Sequence, residues 1–207
     1  MLKGLLNRYP CLASCRESIE AAAQALIACY TGGGKVLLCG NGGSSADCDH
    51  IVGELMKGFL LTRPLPDDQK AAMKAACPSL TEEVLNQLQG GLPAIALPSI
   101  TALNTAFAND VDPTLLYAQA VLALGKPGDV LIGLSTSGNA ANVAAAARVA
   151  KACGMQVIGL TGQKGGLLKE LADIPLCVPE TETFKVQELH LPVYHYLCAA
   201  VEAHFFG

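Results

Sequence analysis

Charge is scarce in this chain: Asp, Glu, Lys and Arg make up 15% of its 207 residues, against 51% hydrophobic. The net charge is −4 and the 14 Lys and Arg residues are scattered without a basic run. That excludes the usual electrostatic footprint of nucleic-acid or anionic-membrane binding. Long apolar runs are missing too. Segments 21–30 and 143–153 are too short or too interrupted, by Gln24, Arg148 and Lys151, to cross a bilayer. No basic start followed by an apolar stretch marks a secretory signal. Cys-x-x-Cys pairs are absent although there are nine cysteines, and Cys39, Cys153, Cys177 and Cys198 sit inside apolar runs, where a free thiol behaves as a small hydrophobe. This usage predicts a reducing, cytoplasmic compartment. What remains can bury one large core and reads as a single domain over 1–207, with a helical N-terminal segment at 1–31.

Lysine and arginine are also missing from the two most informative loops, Gly40-Asn41-Gly42-Gly43-Ser44-Ser45 and Ser135-Thr136-Ser137-Gly138-Asn139. Each follows an apolar, β-like run and opens a helical one. Helix N-termini leave N–H groups unpartnered and carry roughly half a positive charge, so both loops are candidate anion sites. Glycine lets the backbone approach a ligand, and the hydroxyls add donors. Neither loop is the lysine-bearing triphosphate loop, and neither is Gly-x-Gly-x-x-Gly, so a small phosphorylated metabolite is expected and no nucleotide cofactor.

Short continuous apolar runs at 35–39, 94–97, 129–135, 156–161 and 174–178 predict strands buried on both faces. Helices are expected over 12–30, 45–58, 115–124, 140–152, 166–172 and 185–205. The alternation indicates an α/β fold with a doubly wound parallel sheet, in which ligands bind outside the carboxyl ends of the strands, where both loops fall. A long connection at 60–92, broken by Pro64, Pro66 and Pro78, is read as a helical insertion after the first βα unit, with helices over 67–76 and 80–88. A lid, a pocket wall or an oligomer contact are its candidate roles, beside that of a solvated excursion.

His50 and Glu54 are four apart on the third expected helix, so their side chains share one face. They are candidates for acid–base or metal chemistry, or for a plain helical polar pair. Cys48, near the start of the same helix, is a weaker nucleophile candidate, because no His-Asp pairing motif accompanies it.

Laid in order, several short words resemble the sugar isomerase (SIS) family, and within it the phosphoheptose isomerases. They are Gly32-Gly33-Gly34-Lys35-Val36-Leu37, Cys39-Gly40-Asn41-Gly42-Gly43-Ser44, His50-x-x-x-Glu54-Leu55, Pro93-Ala94-Ile95-Ala96-Leu97 and Asn109-Asp110. Beyond them come the run from Gly128-Asp129 to Gly138-Asn139, Leu160-Thr161-Gly162 and Gln187-Glu188-x-His190. The resemblance implies a flavodoxin-like, five-stranded parallel sheet flanked by helices, in a homotetramer with active sites at subunit interfaces. It implies a phosphorylated sugar held by Asn41, Ser44, Asp110, Ser135, Thr136 and Ser137, with Gly42, Gly43, Asn139 and Gln187 completing the candidate contacts. Glu54 and His195 match the family's catalytic pair. The same two, with His50 and Gln187, match positions that bind Zn²⁺ in some members, although Gln187 and His195 stand about 12 Å apart along one helix.

Three positions depart from the family pattern. Ala140 replaces a phosphate-contacting serine, Gly58 replaces an arginine, with Lys57 beside it, and Phe184 replaces an aspartate. The implied reaction moves a proton between adjacent carbons through an enediolate, with Glu54 serving carbon and His195 serving oxygen. The alternative is a non-catalytic member that senses sugar phosphates or associates with a replication initiator; retention of Glu54 and His195 favours the enzyme. His190 is read as structural or as a support for residues of the site, and His204 as a solvated helix end.

Overall fold

A computed structural model describes the chain from Met1 to Gly207. Helices α1 (Leu2–Arg8) and α2 (Arg16–Thr31) lead into strand β1 (Val36–Cys39), then α3 (Gly43–Met56), α4 (Asp67–Ala76) and α5 (Glu82–Gln87). Strand β2 (Ala94–Ala96) is followed by α6 (Thr101–Asp110), α7 (Leu116–Leu124), β3 (Val130–Leu134) and α8 (Ala141–Ala152). The chain closes with β4 (Gln156–Thr161), α9 (Gly166–Leu171), β5 (Ile174–Cys177) and α10 (Thr183–Phe206).

The five strands are all parallel, in the order β2-β1-β3-β4-β5. Each expected strand is present, because runs such as Val36–Cys39 and Val130–Leu134 are buried at every position and need cover on both faces. That cover is two apolar clusters. One joins α2, α3 and α10 to one face through Ile19, Leu26, Leu55, Tyr194 and Val201; the other joins α7 and α8 to the opposite face through Val121, Val143 and Ala147. No helix is long and apolar enough to cross a membrane.

Differences from the sequence reading lie at the chain's ends and connections. The start of the 12–30 helix is a 3₁₀ turn at Pro10–Cys15, because proline fixes the first turn, and α1 precedes it. Helix α6 was not foreseen: it buries none of its ten residues, so it lacks the apolar stripe that periodicity detects. In the 60–92 segment the first helix falls where expected and the second is shortened to α5, capped by Thr81 Oγ1, which accepts from Val84 N at 3.3 Å.

The base of that segment is tied firmly. The Glu202 carboxylate on α10 accepts from the N–H groups of Phe59, Leu60 and Leu61 at 2.7, 2.7 and 3.1 Å and from Arg63 Nε at 2.8 Å. Arg63 in turn donates to the carbonyls of Leu55 and Glu54 at 2.7 and 3.0 Å, beneath the Phe206 ring. Both charged side chains are essentially fully buried. Burial pushes the Glu202 carboxyl up, but the Phe59 and Leu60 N–H groups and the Arg63 guanidinium outweigh it and hold it below the ordinary value. This clamp fixes the last turn of α3, where Glu54 stands.

Candidate active site

Both glycine-serine loops leave the carboxyl ends of adjacent strands, β1 and β3, and meet over one cavity of about 270 Å³. Asn41, Gly42, Gly43, Ser44, Ser135, Thr136 and Gln187 line it, with Ala140 and Thr183. Gly43 lets Gln187 approach the backbone closely: a Cβ there would come within 2.5 Å of Gln187 Nε2 and would displace that side chain. The loops are braced to each other. Asn41 and Asn142 exchange two side-chain hydrogen bonds at 2.9 Å, and the buried Tyr117 hydroxyl donates to the Gly40 carbonyl at 2.7 Å. Tyr117 and Asn142 escaped the sequence reading because neither lies in a loop motif.

Ser137 and Asn139 are placed differently. They border a separate cleft of about 290 Å³ beside Gln163 and Lys164. Ser137 Oγ accepts from Asn139 N at 3.2 Å, while Asn139 donates to the Ser137 carbonyl at 3.2 Å and accepts from Leu167 N at 3.0 Å. Asn139 is thus occupied in holding the loop to α9. Asp110 is exposed at the end of α6 and borders neither cavity.

Two turns along α3 from the cradle, about 10 Å at the α-helical rise, a second group of side chains gathers. His50 Nε2 is 3.2 Å from Glu54 Oε1 and 3.5 Å from His195 Nε2. Thus α3 supplies His50 and Glu54 at four-residue spacing, and α10 brings His195 across to them. Lys57 Nζ lies 3.7 Å from the other Glu54 oxygen, giving the carboxylate a cation although Gly58 stands where an arginine was expected. Arg63 cannot take that place, being consumed by Glu202. Burial, and then the charge of His50, lowers the His195 pKa, while Glu54 opposes the shift. A lowered value leaves an imidazole neutral and able to exchange protons at neutral pH.

Of the four residues matched to zinc positions, His50, Glu54 and His195 gather, while Gln187 lines the cradle. Gln187 is held against Gly43 in the cradle, and no group of three or more His, Cys, Asp or Glu side chains is arranged to hold a metal ion. Cys48 is fully buried, and burial pushes its thiol well above the ordinary value, which removes it as a nucleophile. His190 is buried, with Nε2 at 3.3 Å from the Thr161 carbonyl and its pKa lowered by burial to about 4. It is neutral and structural, as expected. Phe184 is exposed and makes no polar contact at the site.

Two residues not foreseen complete this end. The Tyr194 hydroxyl is 3.0 Å from His50 Nδ1 and 3.1 Å from Asp47 Oδ1. Burial raises the Tyr194 pKa, and Asp47 adds to the effect. Burial also raises that of Asp47, against the Tyr194 hydrogen bond and His50. Asp47, His50 and Glu54 follow one stripe of α3 at i, i+3 and i+7, a spacing that offered a signal for Asp47. Tyr194 offered none, since the contact spans 147 residues.

The chain is similar to known proteins. The family model for the SIS domain matches residues 11–90 and 79–162. The phosphoheptose isomerase of Burkholderia pseudomallei (strain 1710b) is 43% identical over 190 residues, covering 92% of this chain and 83% of that protein. The structure of a phosphoheptose isomerase from Francisella tularensis superposes with a TM-score of 0.78 at 30% identity, covering 98% of this chain and 94% of the other. That of Neisseria gonorrhoeae gives 0.74 at 32% identity, with 97% and 91% covered.

Proposed function

The chain belongs to the SIS domain family, and from that membership we propose that it is a phosphoheptose isomerase interconverting sedoheptulose 7-phosphate and a heptose 7-phosphate. The observation that carries this reading is the pairing, on one helix, of an anion cradle at the N-terminus with the Glu54, His50 and His195 group two turns further on. A bare phosphate needs only the first; a phosphorylated sugar reaches both.

In this reading the phosphate docks at the α3 N-terminus, where the positive end of the helix dipole attracts it and the hydroxyls of Ser44, Ser135 and Thr136 donate to it. The Glu54 carboxylate removes the proton on the carbon beside the carbonyl. The electron pair moves onto the carbonyl oxygen, giving the enediolate, and the proton returns to the neighbouring carbon. His195 supplies a proton to one oxygen and removes one from the other, so the enzyme ends as it began. Lys57 offsets negative charge beside Glu54.

The active unit is a homotetramer with sites at subunit boundaries. Support comes from Asp110, stranded on α6 away from the cradle of its own chain, and from exposed Val111, Leu115 and Leu122 on that side. Nine free cysteines support a reducing, cytoplasmic setting.

The test is conversion of sedoheptulose 7-phosphate in D₂O, followed by NMR, with Glu54→Gln as the control. Turnover with deuterium entering at the carbon next to the carbonyl is expected, falling at least about 10²-fold in the variant. Wild-type rates in Glu54→Gln overturn the mechanism. Binding of the sugar phosphate with no exchange identifies a sensing protein instead.

A further inference from the structure

The two loops of the cradle leave different strands, and one pair of side chains joins them. Asn41, just past the end of β1, and Asn142, in the first turn of α8, exchange two hydrogen bonds, each at 2.9 Å. Which end of each amide is oxygen follows from a third contact. The Val143 N–H also meets the Asn142 amide, at 2.9 Å, and a backbone N–H only donates, so the atom it meets is Oδ1. Asn142 Nδ2 therefore donates to Asn41 Oδ1, and Asn41 Nδ2 donates back to Asn142 Oδ1. Both lone pairs of Asn142 Oδ1 are used, one by Asn41 and one by Val143. Beneath the pair, the buried Tyr117 hydroxyl donates to the Gly40 carbonyl at 2.7 Å and lies 3.4 Å from Asn41 Oδ1, which holds the backbone that carries Asn41.

We propose that Asn142 is a positioning residue: it consumes the Asn41 oxygen and so presents the second Asn41 Nδ2 proton to an oxygen of the bound sugar phosphate. An amide nitrogen carries two protons, and only one of those on Asn41 is taken by Asn142. Asn41 lines the cavity with Ser44, Ser135 and Thr136, whereas Asn142 does not, so Asn142 acts through Asn41. An Asn41 free to turn over would bring its carbonyl oxygen toward the ligand, and an anion repels that oxygen. The bond from Val143 N–H prevents this, because it fixes Asn142 and through it Asn41. The consequence for turnover rests on the isomerase reading, but the orientation of the two amides is observable without substrate.

The experiment combines kinetics with sedoheptulose 7-phosphate and ¹H–¹⁵N spectra of the side-chain amides in the free protein, for Asn142→Ala, Asn41→Ala and the double variant. Alanine suits the first turn of a helix, so α8 is kept. Asn142→Ala is expected to raise KM about tenfold with kcat little changed. The double variant is expected to be no worse than Asn41→Ala alone, because Asn142 has nothing left to position. In the spectra, the Asn41 side-chain signals should stand apart from those of free asparagine amides and move to the free position in Asn142→Ala. Effects on KM that add in the double variant overturn the proposal, as does a fall in kcat at unchanged KM. A merely structural Asn142 would lower the melting temperature and leave KM alone, which also overturns it. Should Asn142→Ala melt early, the wild-type spectrum decides by itself, and Asn41 signals at the free-amide position sink the assignment. Absent turnover in the wild type, with the expected amide signals, fails the isomerase reading and leaves the orientation of Asn41 standing.

Discussion

Thr136 and Ser137 are neighbours with hydroxyls in one loop, yet the fold gives them different tasks. Thr136 borders the cradle shared with Ser44 and Gln187, while Ser137 Oγ accepts the Asn139 N–H within its own loop. Thr136→Ala is therefore expected to weaken sugar-phosphate binding by roughly 1.5–3 kcal/mol, as for a lost hydrogen bond to a charged group. Ser137→Ala should weaken it by less, and isothermal titration calorimetry of the two variants with the same ligand compares them directly. Equal losses would place Ser137 on the phosphate. Asn139 illustrates the same limit of sequence reading: its position in the loop was legible, but its use as a brace to Leu167 was not. A motif fixes which residues enter a loop, and packing fixes which way each side chain turns.

At the scale of elements, the segment between β1 and β2 divides into a clamped base and a solvated tip. Helix α4 buries no residue and α5 buries only Leu85, so replacing 67–87 by a short Gly-Ser linker should cost about 2 kcal/mol or less. Arg63→Leu should cost more, about 3–5 kcal/mol, because it leaves the buried Glu202 carboxylate without its cation. It should also lower turnover, since Arg63 holds the Glu54 and Leu55 carbonyls at the end of α3. Urea denaturation of both variants reads the order, and a costlier tip deletion would mean that the tip is packed against another surface. The proline breaks made this segment visible in the sequence. The Arg63–Glu202 pair, 139 residues apart, was not, because no local pattern distinguishes a buried arginine from an exposed one.

For the molecule as a whole, two buried groups contribute to acid stability. His190 has its folded-state pKa lowered from 6.5 to about 4, so the unfolded chain binds a proton there more readily than the folded one between those values. Stability is complete above pH 6.5 and is lost as pH falls toward 4. Glu202, held below its ordinary value of 4.5, adds a further loss as pH drops below 4.5, when the unfolded carboxyl protonates first. Urea midpoints between pH 7.5 and 3.5 should therefore decline in two parts. His190→Leu is expected to reduce the slope of the upper part, with His195, also lowered, supplying the remainder; an unchanged slope between pH 6.5 and 4.5 would remove His190 as a contributor.

The strands, the loops that follow β1 and β3, and the His50–Glu54 pair were determined by the sequence alone. Each rests on local order: continuous apolar runs must be buried on both faces, glycine-serine turns must open helices, and four-residue spacing must share a helix face. Family words added His195 as a partner. Only the tertiary structure decided the rest. It brought α10 across α3 so that His195 faces His50, kept Gln187 in the cradle, and set Tyr194 between Asp47 and His50. These are contacts between residues far apart in the chain, created by the burial of two helices on one sheet face, and no short-range pattern encodes them.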